Sequence, residues 1–325
     1  MGASSNAAPI CAPSCACWNA SSSARSSDPM TDTGPASGPD SGPDTGPDTG
    51  PNADQAAYWQ SRAGQKWVTH QATLDRLFEN VLAETLARAA PQPGERVLDI
   101  GCGTGASTRA LAEAVGPEGH VTGIDISAPL IDLARARVTA PQANFLRADA
   151  QTQSFAPEHD LLFSRFGVMF FDDPVAAFAN LRRAAKPGAR LAMICWGPMP
   201  DNPWFRLPFK AAVERLGRPS PLPEFAPGPT AFKDIDRVTG ILRDAGWSAA
   251  EGEEVEIPLL PPQVLQEAAE FACLIGPAAR TLQEKDGTED DRSAIIEATA
   301  ALLSQYRRDT DLTIPARLIL YSARA

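Results

Sequence analysis

The amino-acid sequence predicts an α/β protein built on a doubly wound parallel sheet, and three observations support this class. First, an apolar run at residues 96–100 passes into alternating glycines and then into a helical pattern at residues 106–115. Second, four more strand-like runs follow, and helical segments separate them. Third, an acidic residue stands near the end of each of the first three runs. Strands that alternate with helices are typical of parallel sheets with helices on both faces.

Gly101, Gly103 and Gly105 connect the first strand to the first helix of this sheet. A side chain here would block both the tight turn and the close approach of the backbone to a ligand. The free N–H groups at the start of the helix would face the negative end of that ligand. The segment therefore predicts a ligand site at this turn, although a glycine run alone does not identify the ligand.

Four later runs complete the predicted sheet, at residues 121–126, 144–148, 159–166 and 189–196. Asp172-Asp173-Pro174 begins the helix after the fourth strand, and Lys186-Pro187-Gly188 ends it before the fifth. Ligands of such sheets bind outside the carboxyl ends of the strands. The side chains expected at that edge are those of Asp99, Asp125, Asp149 and Phe166.

Together these motifs resemble those of the class I S-adenosylmethionine-dependent methyltransferases, and most of all the small-molecule enzymes of the ubiquinone/menaquinone-biosynthesis type. The resemblance rests on residues 97–105, 123–127, 147–150, 163–171 and 186–188, in that order. It implies a mostly parallel, seven-stranded Rossmann-like sheet whose seventh strand is antiparallel. The candidates for the last two strands are residues 253–257 and 316–323. Insertions after the fifth strand and between the last two strands are expected to form a helical lid.

The resemblance further implies S-adenosylmethionine as the cofactor. The residues expected to bind it are Asp99, Gly101, Gly103, Gly105, Asp125, Ile126, Asp149, Ala150 and Phe166. Asp125 would hold the ribose, as acids at this strand end do in nucleotide-binding folds, or else cap the next helix together with Ser127. Asp149 would accept from the adenine amino group, with the Ala150 N–H beside it, or else be an exposed turn acid. Asp99 would order the glycine loop, with or without a contact to the donor's ammonium group, and Phe166 would line the floor beneath the sulfonium.

A nicotinamide dinucleotide is the alternative cofactor. Its fingerprint is G-x-G-x-x-G/A, and Gly101, Gly103 and Ala106 meet that loose form. Gly105 and the position of Asp99 inside the strand end fit the methyltransferase pattern better. We therefore expect S-adenosylmethionine.

The composition limits the kinds of molecule that the protein is expected to bind and where it is expected to be located. The chain has 325 residues with 43% apolar content, enough for a substantial core, and a net charge of -11 that disfavours nucleic acid as a partner. Its apolar runs are too short for a membrane span, and its cysteines form no disulfide framework, so the cytoplasm is the expected location. The sequence does not indicate the oligomeric state.

Residues 1–53 are predicted to be a disordered, low-complexity leader, because their near-repeats of Gly-Pro with Asp or Asn have little to bury. Cys11, Cys15 and Cys17 lack a second ligand pair for a metal, and Met30 is an alternative start. Residues 54–325 would form the methyltransferase domain, with a helical cap at 54–90, a cofactor-binding core at 95–196, and the lid with the last strands at 197–325.

Helical patterns outside the core are expected in four places. Apolar residues from Leu74 to Leu86 share one helix face, which predicts a single helix behind the aromatic residues of the cap. Residues 204–216 and 234–246 each predict one helix, and residues 262–308 predict two, interrupted at Gly276-Pro277 and in the polar run 284–292.

The predicted function is S-adenosylmethionine-dependent methyl transfer to a small apolar or aromatic acceptor. The acceptor class follows from the aromatic residues expected at the cleft, Trp59, Trp67, Trp196 and Trp204. The alternatives are a noncatalytic protein that binds the same donor, or an NAD(P)-dependent oxidoreductase. His70 is the one histidine expected to approach the cleft as a candidate base, because His120 and His159 stand at strand starts. No cluster with metal-ligand spacing appears, so no metal is predicted.

Overall fold

In the computed structural model, which describes residues 50–325, seven strands form the central sheet. They are β1 (Arg96–Ile100), β2 (His120–Asp125), β3 (Ala143–Arg147), β4 (His159–Arg165), β5 (Ala185–Trp196), β6 (Ser248–Leu259) and β7 (Ile314–Arg324). Their order across the sheet is β3-β2-β1-β4-β5-β7-β6. The first five pair in parallel, whereas β7 runs antiparallel to both β5 and β6. The predicted fold class is thereby confirmed.

Twelve α-helices accompany the sheet in residues 50–325. They are α1 (Ala53–Gln60), α2 (Arg62–Thr69), α3 (Gln71–Leu77), α4 (Glu79–Ala89), α5 (Ala106–Val115), α6 (Ala128–Arg137), α7 (Pro174–Ala184), α8 (Pro203–Leu216), α9 (Ile235–Asp244), α10 (Leu265–Leu274), α11 (Pro277–Glu284) and α12 (Glu289–Leu303). None of them combines the length and the apolar character that crossing a bilayer requires.

Short elements connect these helices and strands. Single 3₁₀ turns occur at Val168–Phe170, Met199–Asp201 and Ser304–Tyr306. An antiparallel ribbon of two-residue strands, Arg307–Arg308 and Asp311–Leu312, precedes β7.

The sheet has a hydrophobic core on each face. Val97 of β1 belongs to one cluster of buried side chains, and its neighbour Leu98 belongs to the other. The same alternation occurs in β4, where Phe163 and Leu162 fall into different clusters. Since successive residues of a strand point to opposite faces, both faces of these central strands are covered. Their apolar sequences follow from this double burial.

The lid consists of helices from the two predicted insertions. One insertion, between β5 and β6, contributes α8, and the other, between β6 and β7, contributes α10, α11 and α12. α8 packs against both α11 and α12, and α10 packs against α12. The two insertions therefore form one helical layer.

Two helix predictions differ from the structure. The single helix expected at Leu74–Leu86 is two helices, α3 and α4, which meet at Phe78. Phe78 leaves helical geometry, with φ -103° and ψ 16°, and its buried ring packs among other aromatic rings. Residues 262–308 contain three α-helices rather than two. The third begins within the polar run, because Thr288 and Asp291 form a reciprocal capping box there.

The segment Lys186-Pro187-Gly188 also differs from its predicted role. It lies within β5 instead of ending the preceding helix, which is already complete at Ala184. The pairing of β5 with β4 is interrupted at this segment, and Gly188 adopts a left-handed φ of +79°. Proline has no N–H to donate to the neighbouring strand, so an irregular strand start fits this sequence.

Most of the predicted leader, residues 1–49 with Cys11, Cys15, Cys17 and Met30, lies outside the described residues. Within the remaining part, Asn52 is buried and directly precedes α1, which begins at Ala53.

Candidate functional site

A large cleft opens at the carboxyl ends of the parallel strands. Its volume is about 2390 Å³, whereas pockets for single small ligands typically measure roughly 300–1,000 Å³. Residues at the ends of β1, β2, β3 and β4 form its floor, and α1, α2 and the lid form its other walls. The cleft therefore has room for two small molecules side by side.

The loop between β1 and α5 contributes Gly101 and Gly103 to the floor of the cleft. Both residues adopt left-handed backbone angles, with φ of +66° and +55°. A Cβ on Gly101 would lie 2.5 Å from the Gly167 Cα, so the segments that follow β1 and β4 approach too closely for a side chain. A Cβ on Gly103 would meet no atom within 4 Å, because this position faces open space.

Gly105 and Asp99 belong to the same region but do not line the cleft. Gly105 is the N-cap of α5, with φ +85°, and it packs against α6. The buried Asp99 carboxylate accepts hydrogen bonds from the Ser107 and Thr108 hydroxyls, each at 2.7 Å. Burial raises the pKa of Asp99 to about 6. Both residues therefore support the loop between β1 and α5 without lining the cleft.

Asp125, at the end of β2, lies on the cleft floor beside Ile126. Its buried carboxylate accepts two backbone hydrogen bonds of 2.9 Å, one at Oδ2 from the Gly103 N–H and one at Oδ1 from the Ser127 N–H. Burial raises the pKa of Asp125, although these amides oppose the effect. Each oxygen has a second lone pair for a ligand. Asp125 therefore both accepts a hydrogen bond from the start of α6 and lines the cleft floor.

Asp149 and Ala150 line the floor after β3. Asp149 is buried, so the alternative of an exposed turn acid is wrong. Its Oδ1 accepts from the Asn52 side-chain amide and from the Gln151 N–H, each at 2.9 Å. Its Oδ2 accepts no hydrogen bond from the described residues. This second oxygen is therefore the one that suits a ligand.

Asn52 is a cleft residue that the sequence does not predict for the site. Besides its bond to Asp149, Asn52 Nδ2 donates to Gln151 Oε1 at 3.2 Å, and Asn52 Oδ1 accepts from the Asp172 N–H at 2.8 Å. The start of α1 is thereby tied to the segments that follow β3 and β4. A signal exists in the sequence, because the last near-repeat ends in Asn where the earlier ones end in Asp. An amide can donate to a carboxylate, which an ionised aspartate cannot do.

Phe166 follows β4 and has φ +67°, an angle that bulky side chains rarely adopt. Its ring is stacked on Trp196, with centres 5.0 Å apart and planes 7° apart. These two rings belong to a continuous series along the cleft, which we call the aromatic row. The row comprises Trp59, Trp67, Phe78, Phe166, Trp196 and Phe205, and successive ring centres lie 4.5 to 6.5 Å apart. Backbone strain that packing maintains at a cleft is typical of functional positions.

Arg165 also lines the cleft, although the sequence assigns it no role. Its Nη1 is buried without a hydrogen-bond partner among the described residues, and its guanidinium carbon lies 5.7 Å from the centre of the Phe78 ring. Burial lowers the pKa of Arg165, and the charges of Asp75 and Asp99 oppose that effect. A buried cation with an unused donor suits an anionic group of a ligand.

No histidine lines the cleft in the described part of the chain. His70 lies at the junction of α2 and α3, and its ring centre is 5.6 Å from that of Phe271. The structure therefore does not bring His70 to the predicted cofactor-binding residues. His120 and His159 are the first residues of β2 and β4, at the opposite edge of the sheet, as expected. Across residues 50–325, no group of three or more His, Cys, Asp or Glu side chains is arranged to hold a metal ion.

Comparisons with known proteins agree with this geometry. A family model described as a methyltransferase domain matches residues 97–188. The chain is 34% identical to the aklanonic acid methyltransferase DauC of Streptomyces sp. (strain C5), over 42% of this chain and 66% of that protein. It is 37% identical to the ubiquinone/menaquinone biosynthesis C-methyltransferase UbiE of Burkholderia vietnamiensis, over 36% of this chain and 51% of that protein. The matched segments thus span about half to two thirds of the length of these relatives.

A similar solved structure is that of phosphoethanolamine N-methyltransferase 2 from Haemonchus contortus in complex with S-adenosyl-L-methionine. It aligns with a TM-score of 0.51 and 18% sequence identity, over 82% of this chain and 58% of that chain. At this identity the likeness shows a shared fold.

Proposed function

Because the chain belongs to the class I S-adenosylmethionine-dependent methyltransferases, we propose that it transfers a methyl group from S-adenosylmethionine to a small apolar or aromatic acceptor. One observation carries this proposal. The Asp125 carboxylate and the Gly103 amide form a hydrogen-bonded unit on the floor of a cleft that Asp149 also lines. A carboxylate at this strand end, next to an uncrowded glycine, suits an adenosine ligand.

The residues on the floor fit the adenosine part of the donor. The two Asp125 oxygens would accept from the ribose hydroxyls, and Ile126 would pack beside the nucleoside. Asp149 Oδ2, which has no donor among the described residues, would accept from the adenine amino group. The Ala150 N–H would donate to the ring. Gly103 leaves the open space that the ligand needs next to the backbone.

The methionyl part would lie nearer to the end of β4. Arg165 would pair with its carboxylate, because this cation lines the cleft and has an unused donor in the described chain. Phe166 would close the floor beneath the sulfur. Asp99 and Gly105 would act indirectly, by fixing the loop that contains Gly101 and Gly103.

When bound, S-adenosylmethionine would supply a methyl group on a positively charged sulfur: an acceptor atom would bond to the methyl carbon as the carbon–sulfur bond breaks, and S-adenosylhomocysteine would leave with that electron pair. The main contribution of the protein is orientation, which can supply roughly 7–11 kcal/mol of the barrier. The aromatic row and the lid helices line one cleft and would exclude water from it.

The rings of the cleft support an apolar or aromatic acceptor. Trp59, Trp67, Trp196 and Trp204 all line it. We propose a small molecule rather than a nucleic acid, because the chain carries a net charge of -11. We further propose a cytoplasmic location, because the three cysteines in the described residues are free and buried.

Two alternative functions predict other results for ligand binding and turnover. A noncatalytic protein would bind the same donor without turnover. An oxidoreductase would bind NAD in its place, and the fingerprint that includes Ala106 motivates this alternative.

The test is a transfer assay with S-adenosylmethionine labelled in the methyl group, offered together with phenol, quinol and amine acceptors. We expect labelled product with at least one acceptor and much less with the Asp125→Ala variant. Donor binding without any transfer would support the noncatalytic alternative. Tight NAD binding without S-adenosylmethionine binding would support the oxidoreductase.

A further inference from the structure

Three basic side chains line the cleft: Arg62 and Lys66 of α2, and Arg292 of the lid helix α12. We call them the cationic patch. Arg62 and Lys66 are four residues apart on one helix, so they lie on the same face. The fold brings the charge of Arg292 within reach of Lys66, although more than 200 residues separate the two in the chain.

No acidic residue of the described chain forms an ion pair with the cationic patch. The Lys66 ammonium donates to the Leu274 carbonyl at 3.0 Å, which is a neutral partner. Of the other cations that line the cleft, Arg218 likewise forms no ion pair with a described residue, whereas Arg280 and Lys233 have acidic partners. Arg280 pairs with Glu284 at 2.9 Å, and Lys233 pairs with Glu224 at 3.7 Å.

The charges of Arg62 and Arg292 both act on Lys66. The pKa of Lys66 is lowered, first by burial and then by the positive charges of Arg292 and Arg62. Like charges held close together are destabilising. Three exposed acids, Asp54, Asp234 and Glu289, line the same cleft, but none of them forms an ion pair with the patch. An anionic ligand would therefore relieve a repulsion that the described residues leave in place.

The buried acids of the cleft are engaged elsewhere. Asp125 accepts from two backbone amides, and Asp149 accepts from Asn52 and Gln151. The donor that we propose for the floor brings a single carboxylate, for which Arg165 provides a cation. The cationic patch is therefore left without a partner from the donor and is available to the methyl acceptor, the second molecule in the cleft.

We propose that the cationic patch binds an anionic group, a carboxylate or a phosphate, on the methyl acceptor. This inference rests on the function proposed above and narrows its substrate class. Arginine presents a planar fork that matches both groups. Trp67 follows Lys66 in the chain. Its ring packs against the Phe78 ring, which packs in turn against the Phe166 ring on the cleft floor. The acceptor would thus combine an aromatic or apolar body with one anionic end.

The test compares three probes that share a ring system. The protein is saturated with S-adenosylhomocysteine and titrated calorimetrically with 1-naphthoate, 1-naphthyl phosphate and the neutral 1-naphthamide. We expect at least one anion to bind about tenfold more tightly than the amide, the size of effect that one charged hydrogen bond gives. The anion that does so distinguishes a carboxylate acceptor from a phosphate acceptor.

Two double variants locate the effect. Arg62→Gln with Lys66→Gln should abolish the preference for the anion. Arg109→Gln with Lys210→Gln also removes two positive charges, at exposed ion pairs that do not line the cleft, and should keep the preference. Arg292→Gln alone should reduce the preference while leaving α2 unaltered.

The inference is overturned if neither anion binds better than the amide, or if the preference survives in the first double variant. A loss of S-adenosylhomocysteine affinity in that variant would also overturn it, because the patch would then serve the donor. If the unaltered protein does not bind S-adenosylhomocysteine, the proposed function fails. The same titrations without that ligand then decide whether the patch binds anions.

Discussion

At the scale of single residues, Asp125 combines two kinds of contact. It shapes the glycine loop through the Gly103 N–H and still lies on the cleft floor. The sequence predicts this position because an acid at the end of the second strand has a recurrent role in nucleotide-binding sheets. The resemblance to the methyltransferases predicts Asp149 in the same way, and it also lines the cleft.

Asp125→Ala should weaken S-adenosylhomocysteine binding by roughly 10- to 150-fold, since hydrogen bonds to charged groups contribute about 1.5–3 kcal/mol. Calorimetric titration measures the effect. Asp132→Ala is a suitable control, because Asp132 is an exposed acid on the next helix. Equal S-adenosylhomocysteine affinities of the Asp125 variant and the control would contradict the proposed ribose contact.

Gly103→Ala should weaken donor binding by about tenfold, because the new methyl group would occupy space needed by the ligand. Gly116→Ala is a matched control. Gly116 also has a positive φ, +70°, and open space at its Cβ position, but it ends α5 away from the cleft. Both variants should lose thermal stability from backbone strain. A similar loss of affinity in both would show that strain alone explains the effect.

Asp99 should make stability depend on pH in a defined window. Burial raises its pKa from 3.8 to about 6, so between these values the folded state holds a proton that the unfolded chain has released. This contribution to stability is complete below about pH 4 and is lost as the pH rises through about 6. As the pH rises through this window, the free energy of unfolding of the unaltered protein should fall by up to about 3 kcal/mol relative to that of the Asp99→Asn variant.

Urea unfolding at several pH values measures that difference for Asp99. The Asp132→Asn variant serves as a control and should follow the unaltered protein at every pH. Parallel pH profiles of the Asp99→Asn variant and the unaltered protein would contradict the raised pKa.

Two residues of the cleft show what a sequence cannot reveal. Asn52 belongs to a low-complexity repeat, and its contacts with Asp149 and Gln151 join positions about a hundred residues apart. Arg292 lies in a polar run and reaches the cleft only through lid packing. The change from Asp to Asn at the end of the repeat marks Asn52 but not its partners, and nothing local marks Arg292, because the information lies in how distant segments meet.

At the scale of elements, the close contact between the β1 and β4 ends determines the shape of the floor. A Cβ on Gly167 would lie 2.5 Å from the Ile100 carbonyl oxygen and 2.7 Å from the Gly101 Cα. Gly167 has φ -78°, so its backbone angle does not itself favour glycine. Space alone requires the glycine here.

Gly167→Ala should therefore destabilise the domain by about 1–3 kcal/mol through overpacking, and it should weaken donor binding because the loop shifts. Gly240→Ala in α9 is the control, since its Cβ would meet no atom within 4 Å. That substitution should stabilise the helix by roughly 0.5–1 kcal/mol. Urea unfolding compares the two. An unchanged stability of the Gly167 variant would show that the strand ends separate easily.

The sequence predicts the five parallel strands to within a few residues, because each is a short apolar run between clear boundaries. The last two strands, β6 and β7, extend beyond their predicted ranges, and β6 has many exposed side chains that dilute its pattern. The break at Phe78 is invisible to periodicity, since the apolar face continues across it. The start of α12 does carry a signal, the Thr288–Asp291 capping pattern.

At the scale of the whole molecule, the cleft joins segments from the entire described chain. Its floor comes from the sheet, while Asn52 closes one side and the lid helices close the other. The sequence predicts the floor, whose motifs are local. It predicts the lid only as an insertion of suitable length, since helix packing decides which side chains face the cleft.

The central claim is that the strand ends hold an adenosine-bearing methyl donor, and a crystal structure with S-adenosylhomocysteine tests it most directly. We predict its ribose at Asp125, its adenine at Asp149 and its carboxylate at Arg165, with the sulfur above Phe166. Failure to bind this compound, or density for it away from these residues, would contradict the claim.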